Sequence, residues 1–92
     1  MSKMMTLDDA VIEVLRRLGE AELYDFMDEL RRFCWRNGVV CLKWVIDVEG
    51  DRIRRICTDA WELILRLARR GVIDIRISNG RVYLSLAEPT RF

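Results

Sequence analysis

Residues 61–86, with the sequence WELILRLARRGVIDIRISNGRVYLSL, decide the fold of this chain. At their centre stands the dipeptide Asn79-Gly80, which is typical of a two-residue type I′ turn because both central positions require a positive φ. The segments on either side alternate apolar with polar residues, as half-buried strands do. The turn and the alternation together predict a C-terminal β-hairpin. Its two strands are residues 72–78 and 81–87.

The turn also determines which residues of the hairpin share a face. A two-residue turn pairs the residues that flank it, and every further pair along the strands follows from that one. Arg76 then lies opposite Tyr83 on the polar face, and all six apolar side chains fall on the other face. A shift of one residue would mix the two sets, so the pattern supports this register. The apolar pairs are Ile73 with Leu86, Ile75 with Leu84 and Ile77 with Val82.

The composition is that of one small globular domain, residues 1–92. Of the 92 residues, 51% are hydrophobic and 34% are charged, which suffices for one modest core. The longest apolar run, residues 39–46, is interrupted by Lys43 and is shorter than the roughly 20 residues that span a bilayer. Residues 1–6 lack the apolar stretch of a secretory signal. We therefore expect an intracellular, cytoplasmic protein without membrane contact.

Amino-acid usage favours a thermophilic source and leaves the state of the cysteines open. The chain has no His and no Gln, and fourteen Arg accompany two Lys; many charges with few labile side chains are typical of thermophiles. Intracellular disulfides occur in hyperthermophiles, and Cys34 and Cys41 flank the helix-breaking pair Asn37-Gly38. One interpretation is a disulfide between Cys34 and Cys41. The other is three buried thiols, with Cys57 as the third.

Several catalytic chemistries need residues that this sequence lacks. Without histidine, neither a Ser-His-Asp triad nor a Cys-His pair can form. The cysteines are 7 and 16 residues apart, which matches no zinc-binding pattern. Each glycine stands alone at the end of a predicted element, so no Gly-rich phosphate loop exists. We expect no enzymatic activity, no cofactor and no metal.

Apolar residues at helical spacing predict two N-terminal helices. The first begins after Thr6, a favourable N-cap, and ends at Gly19. The second follows at once and ends at Asn37-Gly38. The apolar face of the first comprises Leu7, Ala10, Val11, Val14, Leu15 and Leu18, and that of the second Leu23, Phe26, Met27, Leu30, Phe33 and Cys34.

The middle of the chain predicts a strand followed by a third helix. Residues 39–48 alternate and are rich in β-branched side chains, as strands are. The third helix begins either near Asp51 or near Thr58, and it runs to Arg70. Gly71 then supplies the left-handed position that commonly ends a helix.

The third helix and the hairpin resemble the end of a winged helix-turn-helix domain. The pattern Ile64-x-x-Leu67-x-x-x-Gly71-Val72-Ile73 is similar to a recognition helix that runs into the first wing strand, and Arg81-Val82-Tyr83-Leu84-Ser85-Leu86 is similar to the returning strand. The resemblance covers residues 64–86. It implies a winged-helix-like α+β fold, with three helices and a small antiparallel sheet that includes the hairpin.

The upstream part departs from the family pattern. In that pattern a tight turn joins the second and third helices, and a short strand commonly precedes the second. Here a strand-like stretch follows the second helix. The domain is therefore either an altered winged helix, or residues 41–57 contain a short helix.

The resemblance implies a DNA-binding protein of the transcriptional-regulator type. The third helix would occupy the major groove of double-stranded DNA, and the hairpin would contact a neighbouring phosphate or the minor groove. Arginine suits both phosphate and guanine because its planar fork binds bidentately. The implied DNA-binding residues are Arg52, Arg54, Arg55, Thr58, Arg66, Arg69, Arg76, Arg81 and Tyr83.

The outward side of the third helix also fits an ordinary solvated face; its residues are Arg55, Thr58, Asp59, Glu62, Arg66 and Arg69. Glu62 precedes Arg66 by four residues, and Arg55 precedes Asp59 by four. These spacings favour ion pairs within a helix.

Charge asymmetry and tryptophan content support an alternative function, a protein-interaction module without DNA binding. Residues 1–30 carry eight acids and three bases, whereas residues 31–92 carry seven acids and thirteen bases. Such an asymmetry is typical of a nucleic-acid surface or of faces that attract each other in a homodimer. Trp35 and Trp61 are the candidate interface residues, since aromatic side chains beside arginines favour interfaces. Trp44 is expected in the core.

Overall fold

Three α-helices and five β-strands form the part of the chain that the structure, a computed structural model, describes: residues 4–41 and 43–87. The architecture is α+β with two small antiparallel sheets, in agreement with the predicted class. The elements are α1 (Leu7–Leu18), β1 (Ala21–Glu22), α2 (Leu23–Asn37), β2 (Trp44–Glu49), β3 (Arg52–Cys57), α3 (Thr58–Arg69), β4 (Ile73–Ser78) and β5 (Arg81–Leu86).

The C-terminal hairpin of β4 and β5 has the predicted register at every pair. Asn79 and Gly80 have φ angles of 52° and 73°, as a type I′ turn requires. Each strand is one residue shorter than predicted, at the end away from the turn. Ile77 lies on the apolar face but remains 73% exposed because it is beside the turn, at the end of the sheet. The other five apolar residues of this face are buried or half-buried.

A two-residue strand, β1, extends this hairpin into a three-stranded sheet with the order β1-β5-β4. Ala21 pairs with Leu84, and Glu22 pairs with Tyr83. The sequence predicts that the second helix directly follows the first, and this strand was not predicted. Two residues are too few for alternation to be visible, so only the pairing with β5 identifies them.

Both N-terminal helices begin and end where the sequence predicts. Thr6 and Asp9 form a reciprocal capping box, in which each side-chain oxygen accepts a backbone N–H of the other at 3.2 Å. Gly38 ends α2 in the left-handed conformation, with φ 67°, and its N–H donates to the Cys34 carbonyl. This geometry is typical of an αL C-cap. The predicted apolar face of α2 is buried in full.

The segment between α2 and α3 is a β-hairpin of β2 and β3. The predicted strand exists but begins at Trp44 rather than at residue 39. Of the two predicted starts for the third helix, Thr58 is right and Asp51 is wrong, since β3 occupies the intervening residues. The described part of residues 41–57 contains no short helix. The N–H and hydroxyl of Thr58 donate to the Lys43 carbonyl at 2.8 and 3.2 Å, which closes the base of the hairpin.

One hydrophobic core joins the three helices to one face of the three-stranded sheet. Phe26, Met27 and Ile64 are fully buried, and so is Leu84 of the central strand. Because β4 and β5 turn their apolar residues toward this core, their polar residues face outward. Trp44 and Trp61 are half-buried against the core, whereas Trp35 is 88% exposed.

The cysteines pair differently from either interpretation of the sequence. The structure joins Cys41 to Cys57, with their Cα atoms 6.4 Å apart, and leaves Cys34 as a buried free thiol. The predicted Cys34–Cys41 bond is therefore wrong. Cys34 lies on the core face of α2, while the register that sets Trp44 opposite Cys57 brings Cys41 to the base of β3. Burial raises the pKa of the Cys34 thiol, so this side chain behaves as a small apolar residue.

Candidate nucleic-acid interface

The helix α3 presents a polar stripe opposite its buried face. Ala60, Leu63, Ile64 and Leu67 are buried, and residues about half a turn away from them point outward. Glu62, Arg66 and Arg69 are exposed there, and Arg70 follows them as an exposed C-cap residue. Thr58, at the start of the helix, is half-buried, and its hydroxyl is used by the Lys43 carbonyl.

The end of α3 carries three exposed arginines. Arg66, Arg69 and Arg70 form no salt bridge with any residue among those described. The spacing of Glu62 and Arg66 favours a pair, yet their charged groups do not meet. Elsewhere the chain does form such pairs: Glu13 binds Arg16 at 2.8 Å and Arg17 at 3.2 Å, and Glu29 binds Arg32. The end of α3 is thus a cluster of three uncompensated positive charges, which we call the α3 arginine cluster.

Arg76 and Tyr83 form a different site on the outer face of the three-stranded sheet. The Arg76 guanidinium lies 4.6 Å from the centre of the Tyr83 ring and donates to both carboxylate oxygens of Glu20, at 3.3 and 2.9 Å. This hydrogen-bonded pair lowers the pKa of Glu20 and raises the pKa of Arg76. Because the core-facing side chains of the sheet lie between this pair and the helices, the structure does not join Arg76 and Tyr83 to the α3 arginine cluster.

Three further arginines from the predicted set meet in a cleft between the tips of the two hairpins. Arg52 and Arg54 of β3 and Arg81 of β5 line this cleft of about 430 Å³. The Arg54 guanidinium lies 4.6 Å from the centre of the Tyr24 ring. The opposite wall carries carboxylates from the beginning of α2, so positive and negative side chains share the cleft. Those acids are Glu22, Asp25 and Asp28.

The remaining predicted residues lie apart from one another. Arg55 is on the opposite face of β3 from Arg54 because strand residues alternate, and it is opposite Ile46. Trp61 packs against the core on α3, whereas Trp35 lies on the outer surface of α2. The two candidate interface tryptophans therefore do not form one surface.

Sequence reasoning missed a basic surface on α2. Arg31, Arg32 and Arg36 are exposed and line one shallow hollow with Trp35. The signal was present in the sequence, since Arg31 and Arg32 precede Trp35 by four and three residues, and Arg32 precedes Arg36 by four; residues at these spacings share one side of a helix. Basic side chains near the end of a helix are equally well explained by the negative pole of the helix dipole, and that explanation does not connect the three arginines with Trp35. Arg70 was missed in the same way, as part of a C-terminal helix signal.

Among the described residues, no helix combines the length and apolarity needed to cross a membrane. Within the same residues, no three metal-ligating side chains of Cys, Asp or Glu converge on one point.

Comparisons with known proteins return no relative. No family model matches the chain, no curated protein matches it, and no solved structure matches its fold.

Proposed function

We propose that this chain is a winged-helix-like domain that binds double-stranded DNA through α3 and the C-terminal hairpin, as a transcriptional regulator does. The order of elements supports the proposal. A short strand, β1, precedes the second helix and pairs with the last strand, and the third helix runs through Gly71 directly into the hairpin. In place of the tight turn between the second and third helices, this chain carries the β2–β3 hairpin.

One observation carries the proposal: the α3 arginine cluster is exposed and forms no ion pair with the part of the chain that the structure describes. An exposed ion pair contributes little to stability, but it occupies the guanidinium that a phosphate would need. Arg66, Arg69 and Arg70 keep that capacity, although Glu62 lies one turn before Arg66. Three exposed guanidinium groups at one end of α3 are suited to a line of backbone phosphates.

The other arginines implied as DNA contacts differ in how available their guanidinium groups are. Arg81 lies at the tip of the hairpin and is exposed, so it is the wing residue best suited to a phosphate. Arg54 and Arg76 are engaged by Tyr24 and Glu20, and binding through them would first break those contacts. We assign the phosphate contacts to the α3 arginine cluster. Arg81 shares the outward face of the hairpin with Tyr83, so a contact through it would be made to a separate part of the duplex backbone.

The first experiment is fluorescence anisotropy with a labelled duplex of random sequence. Because each neutralised phosphate releases counterions, affinity is expected to fall steeply between 50 and 200 mM salt. Non-specific binding of this kind has a Kd of about 1–100 µM at physiological salt. Binding that does not change with salt would contradict phosphate contacts, and no binding at 50 mM would contradict the proposal as a whole.

A second candidate function is a protein-interaction module with the same fold. It is favoured by the exposure of Trp35, whose indole contributes no burial to the core and is flanked by arginines. Aromatic residues and arginines are enriched at protein interfaces. This candidate predicts a stable protein complex with no measurable DNA binding at 50 mM salt.

A further inference from the structure

The outer surface of α2 presents an indole ring among arginines. Trp35 is 88% exposed, although an indole is one of the largest apolar groups that a side chain carries. Arg31, Arg32 and Arg36 line the same hollow, which has a volume of about 370 Å³. All three arginines are exposed as well. We call the surface formed by these residues the α2 hollow.

The arginines of the α2 hollow flank the indole without covering it. A guanidinium over an aromatic face is a favourable arrangement, and Arg17 and Arg76 each lie over an aromatic ring elsewhere in the chain. Among the residues that the structure describes, neither Arg31 nor Arg36 lies over the ring of Trp35. The face of the indole is therefore open to a planar partner.

Two of the positive charges in the α2 hollow are also available. Arg32 binds Glu29, whereas Arg31 and Arg36 form no salt bridge within residues 4–41 and 43–87. On a helical wheel these two arginines lie on opposite sides of Trp35, and they are roughly 7.5 Å apart along the helix axis. A ligand that places a flat ring on the indole can therefore place a negative charge on each side of it.

We propose that the α2 hollow binds single-stranded DNA, with one base stacked on the Trp35 indole and the neighbouring phosphates on Arg31 and Arg36. Sites for single strands combine aromatic with cationic side chains in this way, because every base has a face on which to stack. Duplex DNA does not offer such a face to a helix surface, since its bases are stacked on one another. The site is additional to the α3 arginine cluster and does not rest on duplex binding.

The side chains of the hollow favour a DNA strand over an acidic peptide or RNA. A peptide would match the positive charges, but its anchor residue needs a well-packed pocket, and three of the four residues that line this hollow are arginines. A base needs only the flat face of the ring. Arginine and indole side chains donate hydrogen bonds and accept none. The lining therefore offers no acceptor to a 2′-hydroxyl, the group that distinguishes RNA from DNA.

The test is the Kd of labelled oligothymidine of roughly 15 nucleotides, measured by fluorescence anisotropy at about 50 mM salt. We expect Trp35→Leu to raise this Kd by about 5- to 150-fold, the contribution of one stacked base. Trp35→Phe is the matched control and should retain most of the affinity, because phenylalanine also stacks. Both variants should keep the Tm of wild type, since the ring is exposed.

A second probe separates stacking from charge. An abasic strand of the same length keeps the phosphates and lacks the bases, so it should bind more weakly than oligothymidine and respond little to Trp35→Leu. Equal affinity for the two strands overturns the proposal, and so does an unchanged Kd for oligothymidine in Trp35→Leu. Tighter binding of a glutamate-rich peptide or of oligouridine also overturns it, in favour of a protein or an RNA partner.

Duplex DNA provides a readout that separates this site from the proposed function. Trp35→Leu should bind the random duplex with the Kd of wild type, and an equal loss of affinity for duplex and single strand would overturn the assignment of this site. A chain that binds oligothymidine through Trp35 but binds no duplex would contradict the proposed function and support the α2 hollow. The converse result would do the opposite.

Discussion

Leu84 is the residue whose replacement tests the fold most strictly. It lies in β5, the central strand of the three-stranded sheet, and is fully buried between Ala21 of β1 and Ile75 of β4. Leu84→Ala removes apolar burial and leaves a cavity that neighbouring strands cannot close, which costs about 3 kcal/mol. At about 4–8 °C per kcal/mol for a domain of this size, Tm falls by roughly 12–24 °C.

The control for this prediction is Ile77→Ala in the same hairpin. Ile77 lies on the same face of the hairpin as Leu84 but is 73% exposed. Its truncation should therefore change the free energy of unfolding by less than about 0.5 kcal/mol. Both values come from urea denaturation followed by far-UV circular dichroism, with the midpoint and slope fitted together. Equal losses in the two variants, or a loss below about 1 kcal/mol for Leu84→Ala, would refute the register and the position of the core.

Three further predictions follow from individual contacts. Reduction of the Cys41–Cys57 bond, which spans 16 residues, should lower the free energy of unfolding by about 3 kcal/mol in urea denaturation. The pKa of Glu20 is lowered mainly by its hydrogen bond from Arg76. The stabilisation by this pair is therefore present at a pH above the pKa that Glu20 has in the unfolded chain, and it is lost as the pH falls through the lower pKa that Glu20 has in the folded protein. An NMR titration of the Glu20 carboxyl should show that pKa return toward its ordinary value in Arg76→Ala. Trp35→Ala should leave Tm within about 2–4 °C of wild type in calorimetry, because the indole is almost fully exposed.

Local sequence signals determined most of the architecture. The pair Asn79-Gly80 requires positive φ at both positions, so the register of the last hairpin followed from two residues. Thr6 and Gly38 marked helix ends because capping depends on neighbours within four residues. These features involve contacts that are close in sequence, and a single chain is sufficient to predict them.

The features that sequence reasoning missed depend on residues far apart in the chain. The strand β1 is recognisable only through Leu84, more than sixty residues later. The partner of Cys41 is decided by the β2–β3 register, which brings Cys57 to the base of the hairpin. Cys34 is closer to Cys41 in the sequence and was therefore considered as its disulfide partner, but the Cys34 side chain is buried in the core. Long-range pairing of this kind has no local signature.

The candidate site likewise combines features that local sequence predicts with features that depend on distant residues. Helical periodicity correctly put Arg66 and Arg69 on the outer side of α3. It gave no sign that Arg76 would be bound by Glu20, because the ion pair joins the outer sheet face to the α1–β1 connection. The predicted set of DNA-binding residues is therefore divided among α3, the cleft and the outer face of the three-stranded sheet, and Arg55 lies apart from these on the other face of β3.

The salt dependence of DNA affinity in an α3 variant tests the central claim most directly. Replacing Arg66, Arg69 and Arg70 with Ala should reduce the slope of log K against log salt by about 3, because each lost phosphate contact changes it by about 0.9. The matched control, with Ala at Arg16 and Arg17 of α1, should retain the wild-type slope, since both side chains already bind Glu13. An α3 variant that is folded but retains the wild-type slope would contradict the account, as would equal reductions in the two variants.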